Sequence, residues 1–148
     1  MSDDIFSDEP DEYQELQKRN EDLIEAFLSK LESQGMSSST VDRHYTNIYF
    51  FLIIFMFNHY GTSAEKGIRF IPEFMTDFFI RRAMWATEKT LNSMCATLNK
   101  FYQFLHERGE ITKGDMAFAQ SIIKYNRQDW VETLLSDDED DGNWHDIF

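Results

Sequence analysis

Hydrophobic positions along the chain recur with the period of a helix, and nowhere with the strict alternation of a half-buried strand. From Asp11, the residues Leu16, Leu23, Phe27 and Leu31 fall at intervals of seven and four, which places them on one face of a 3.6-residue repeat. Ile24 and Leu28 widen that face, and Gly35 offers a C-terminal stop. Ser37, Ser38 and Ser39 supply N-caps for a second helix over about Thr40–Tyr60. Its first half is amphipathic; its second half, Ile48 to Phe57, is apolar all round, the mark of a helix surrounded by others.

Gly61 to Gly67 reads as a loop, after which Pro72 suits the first turn of a third helix running to about Trp85. Thr87 caps a fourth, whose apolar face is Leu91, Met94, Leu98, Phe101, Tyr102 and Leu105 and whose end is Gly109. Thr112 with Asp115 three residues on approximates a capping box, opening a fifth helix to about Tyr125. A shorter sixth is expected around Asp129–Leu135. The chain is therefore expected to be all-α, a bundle of five or six helices over residues 11–135. Residues 1–10 and 136–148 form acidic, mobile ends in this reading.

Charge changes the picture because it is unevenly distributed. The net charge is −13, yet residues 1–36 hold 11 acids and 3 bases, residues 131–148 hold 7 acids and no base, and residues 37–130 hold 9 acids and 11 bases. The centre is mildly basic, so the acidic total does not exclude a nucleic-acid partner. With 42% apolar residues and 14 Phe, the chain has the material for a packed core. Its longest apolar run is ten residues, half the roughly 20 that a membrane span requires. One cysteine, Cys95, allows no internal disulfide and suits a reducing compartment. An acidic start, Met1-Ser2-Asp3-Asp4, is unlike a basic targeting leader, so a cytoplasmic address is expected.

Chemistry is sparse. His44, His59, His106 and His145 lack zinc-site spacing, and Cys95 falls on the apolar side of the fourth helix. Asp137-x-Glu139-x-Asp141-Gly142 begins like a calcium loop, but its twelfth position is Phe148 where a bidentate Glu is needed. No phosphate loop, nucleophile elbow or paired-carboxylate motif is present. Neither an enzyme nor a metal or other cofactor is expected.

Two segments resemble the core-binding domain of the tyrosine recombinase or phage-integrase family. One is Met36-Ser37-Ser38-Ser39-Thr40 with Tyr45 and the apolar helix to Tyr60-Gly61; the other runs from Thr90 through Phe101-Tyr102-Gln103-Phe104-Leu105 to Gly109 and Ile111. The resemblance covers about residues 11–120 and implies a SAM-like bundle gripping duplex DNA through its second and fourth helices. On those helices Thr40, Arg43 and Asn47 share one face and Lys89, Ser93 and Lys100 another, polar groups with a few cations of the kind that phosphate and base-edge contact needs. The sequence departs from the family after Tyr45, where Thr46, Asn47 and Ile48 replace basic residues. It departs again at Lys113-Gly114-Asp115, where the family has Asn-Pro. The 39 residues after Gly109 leave no room for the family's catalytic domain, so recombination by this chain alone is not expected. The same residues also read simply as the wet faces of amphipathic helices, and Arg81-Arg82 as partners of the acidic first helix.

The tail Asp137-Asp138-Glu139-Asp140-Asp141 closes on Trp144, Ile147 and Phe148. It resembles the C-terminal tip of bacterial single-stranded-DNA-binding proteins, with Ile147 where that tip carries Pro. The resemblance implies a docking peptide for a protein with a basic pocket; the plain reading is a solubilising tail. The leading expectation is a non-catalytic DNA-binding or recombination/replication accessory module. The alternatives are an interaction or inhibitory module working through its acidic ends, and an enzyme subunit lacking its catalytic partner.

Overall fold

A computed structural model describes the backbone of residues 2–83 and 86–147, and the side chains of residues 12–83 and 86–136. The described residues are all-α, with no strand among them. They fall into two compact units, residues 1–67 and 68–148.

In the first unit, α1 (Ser2–Ser33) packs on α2 (Ser38–Tyr49) and on the segment that continues it. The stripe Leu23, Ile24, Phe27 and Leu31 is buried, as its spacing requires. The helix ends at Gly35, whose φ of 86° is open only at a high energetic cost to residues with a Cβ. That turn closes a Schellman motif: the Gly35 N–H donates to the Glu32 carbonyl at 3.0 Å and the Met36 N–H to the Leu31 carbonyl at 3.3 Å. Ser37 caps α2 by accepting the Thr40 N–H at 3.3 Å.

The apolar run does not stay α-helical. Phe50–Tyr60 winds as a π-helix (π1), ending at Gly61, whose N–H donates to the Phe57 carbonyl at 2.9 Å. Most π-helical structure is a single inserted turn, so eleven residues is long. With Phe51, Leu52, Ile53, Phe55, Met56 and Phe57 all buried, no polar face fixes the phase of the winding. The wider i→i+5 turn then displaces no side chain from water into the core or back.

Ala64–Phe70, which takes up the second half of the loop expected over Gly61 to Gly67, is a 3₁₀-helix. Arg19 of α1 reaches it with a two-pronged ion pair to Glu65, in which Nη1 donates to Oε2 at 3.3 Å. Burial acts to raise the Glu65 carboxyl. Hydrogen bonds from Arg19, Ser63 and its own backbone, with the Arg19 charge, outweigh it and hold the group below its ordinary value.

In the second unit, the third expected helix is a run of three pieces: α3 (Ile71–Glu73), π2 (Phe74–Phe79) and α4 (Ile80–Arg82). Pro72 occupies its first turn, and extended Ala83 ends it, short of the expected Trp85. α5 (Glu88–Glu107) has the expected start and stop. Thr87 accepts the Thr90 N–H at 3.2 Å while Thr90 Oγ1 accepts the Thr87 N–H at 2.8 Å. Gly109, with φ of 78°, closes a second Schellman motif through Glu110 N–H to the Leu105 carbonyl. All six residues expected on its apolar face are buried.

α6 (Lys113–Ile147) corrects the expectation of two short helices: one helix runs through. The Thr112–Asp115 capping box opens it, at 3.0 and 3.3 Å. No Gly or Pro interrupts residues 115–136, and side chains at the expected break bond back into the helix. Asn126 Nδ2 donates to the Ile122 carbonyl and Thr133 Oγ1 to the Asp129 carbonyl. α6 packs on α5, α3 and π2 through a face that includes Ala119, Ile123, Trp130, Val131 and Leu134.

Candidate nucleic-acid interface

The six residues nominated for DNA contact divide between the two units. In the first, Arg43 is exposed, and Thr40 is half-buried with its Oγ1 accepting the Ser37 hydroxyl at 3.0 Å, inside the cap of α2. Asn47 is only 6% exposed, so it does not share the wet face of Arg43. The buried stripe of α2 is Val41, His44, Asn47 and Ile48. Asn47 thus belongs to the inward side, and a trio centred on it does not form a surface.

In the second unit the nominated set survives as a surface. Lys89 and Lys100 are exposed and Ser93 half-buried on one side of α5, separated by about 16 Å along the axis. The positions between them on that side are Asn92, Ser93 and Ala96: short, uncharged residues over which a phosphate backbone can approach. A third cation joins them. Arg127 of α6 is exposed and its Nη1 donates to Asn92 Oδ1 at 3.0 Å, which holds its guanidinium beside the stripe. The sequence pattern missed Arg127 because it was placed between two short helices, where no face is defined.

Arg82, expected beside acids of the first helix, lies with its guanidinium 5.0 Å from the centroid of the Phe78 ring. His44 is buried edge-on to Phe27, with centroids 6.4 Å apart, and His106 Nδ1 meets the Ile111 carbonyl at 3.3 Å. Among the described residues no group of His, Cys, Asp and Glu is placed to hold a metal ion. Cys95 is 3% exposed, and burial pushes its thiol up to about 12. It stays protonated at neutral pH and is a poor nucleophile there. Trp144, Ile147 and Phe148, nominated as a docking tip, lie outside the residues whose side chains are described.

No helix among the described residues is long and apolar enough to cross a membrane. No family model, curated protein or solved structure matches the chain.

Proposed function

We propose that the chain is a non-catalytic DNA-binding module, an accessory to recombination or replication of the kind the integrase core-binding resemblance implies. The observation that carries the reading is the hydrogen bond from Arg127 to Asn92, which adds a fixed third cation to the Lys89–Lys100 side of α5. Three cations around a stripe of short, uncharged residues supply what backbone contact to a duplex uses: charge for counterion release and short side chains for close approach. The proposed surface lies wholly in residues 68–148, and Thr40 and Arg43, in residues 1–67, are not part of it. The acidic ends oppose binding, and the cation–phosphate contacts make it salt-dependent.

The test is fluorescence anisotropy of a labelled random duplex titrated with the full chain at about 50 and 200 mM salt. Binding is expected at the lower salt. Each of Lys89→Ala, Lys100→Ala and Arg127→Ala should weaken it similarly for any duplex sequence and lower the salt slope by about one. Absence of binding at the lower salt, or binding indifferent to all three substitutions, removes this reading.

A further inference from the structure

α6 carries a second surface that the DNA reading does not use. Phe118 is 56% exposed and Tyr125 75% exposed, with half-buried Ile122 between them. At spacings of four and three these side chains lie within roughly 60° of one another on the helix. The buried face of α6 is centred roughly 150° away and Arg127 lies roughly opposite, so Phe118 and Tyr125 stand clear of the core, half-buried Ile122 reaches its rim, and none belongs to the cationic stripe. Single exposed aromatics are ordinary; three apolar residues in helical register on one wet face are not.

The charges on that face select the occupant. Asp115 lies at one end of the ridge, and Asp129 and Glu132 at the other, all exposed. Lys124 flanks it, with Nζ 5.7 Å from the Tyr125 ring centroid. A second copy of the chain is a poor match. In an antiparallel pairing centred on Ile122, Asp115 meets the other copy's Asp129; in a parallel pairing every acid meets itself. Like charges opposed across an interface are costly in either arrangement. Phosphate is repelled by the same acids. We propose that Phe118, Ile122 and Tyr125 form a docking ridge for a partner protein whose apolar surface is bordered by Lys and Arg. Amphipathic helices present their anchors to partner surfaces at this spacing, and the acids would set orientation and encounter rate more than affinity.

The probe is a fluorescein-labelled amphipathic helical peptide with a leucine face bordered by lysines, titrated with the full chain. The control peptide carries glutamates in place of the lysines. The lysine peptide should bind and the glutamate peptide should not. Phe118→Ser with Tyr125→Ser should weaken binding at least about tenfold, or about 1.4 kcal/mol, whereas Phe118→Leu with Tyr125→Leu should retain it. Asp129→Lys with Glu132→Lys, both at exposed sites, should transfer the preference to the glutamate peptide. That arm stands even where the serine variant loses helicity by circular dichroism. Lysine-peptide binding unchanged by the serine pair, or a preference unmoved by charge reversal, overturns the proposal. So does a concentration-dependent dimer in sedimentation velocity that the serine pair abolishes, which would give the ridge to a second copy. Loss of duplex binding in the serine pair, with peptide binding intact, would give it to nucleic acid and overturn the proposal as well. Failure of duplex binding in the unaltered chain removes only the DNA reading.

Discussion

π1 in residues 1–67 and α5 in residues 68–148 both bury aromatic and aliphatic side chains. They wind differently. α5 alternates its buried stripe with Lys89, Asn92, Ser93, Lys100 and Gln103, and is α-helical from cap to cap. π1 has no polar residue before Asn58 and no side-chain cap at its start. A polar stripe makes any drift in winding costly, because each residue of drift moves a charge toward the core or an aromatic toward water. Where every side is apolar that penalty vanishes. On this comparison, its polar stripe holds α5 to regular winding where π1 is free to depart from it.

Core truncation gives the largest test of the contrast. Phe101 in α5 and Phe51 in π1 are both 0% exposed. Phe101→Ala should lower stability by about 3–5 kcal/mol, measured by urea unfolding. Phe51→Ala should fall toward the low end of that range, because neighbours whose phase is not fixed can close on the gap. Equal losses would break the comparison. The next effect has the opposite sign. Asn20 of α1 is 0% exposed, and neither its Nδ2 nor its Oδ1 has a hydrogen-bond partner among the described residues. Asn20→Leu should therefore raise stability by about 1–3 kcal/mol, read from the same titration.

A smaller loss is expected at the caps. Thr87→Ala and Thr112→Ala should each cost about 0.5–2 kcal/mol, with Ser restoring most of it, and helicity by circular dichroism should report both. The smallest effect is a pH dependence. The folded state holds the Glu65 carboxyl below its ordinary value, so its contribution is complete above the ordinary carboxylate range and is lost as pH falls through the folded value. Glu65→Gln should flatten the acid limb of a stability–pH profile. The change should be under about 1 kcal/mol because the Arg19 side chain is 40% exposed.

What could be read from sequence follows the range of the interaction involved. Ser37, Thr87 and Thr112 were legible as caps, and Gly35 and Gly109 as stops, because each acts on backbone within five residues of itself. The apolar faces of α1 and α5 were legible from period alone. π1 was not, since an all-apolar run carries no phase to read. Two short helices were expected where α6 is one, because a weak stretch of apolar periodicity between Tyr125 and Trp130 resembles a break, whereas Asn126 is bonded into the helix. Of the candidate surface, Lys89 and Lys100 were found by their spacing. Arg127 depends on two helices packing side by side, and Asn47 on which way α2 turns its polar side chain; neither is a local property.

Cys95 has a use that does not depend on any proposed function. A thiol that is buried and protonated at neutral pH reacts with an aromatic disulfide reagent only while its surroundings are open, so the labelling half-life is a clock set by the opening of residues 68–148. Because it is the only thiol in the chain, each molecule reports one event. Slowing of that clock by added duplex or peptide would show that the partner stabilises the closed state of this half of the protein.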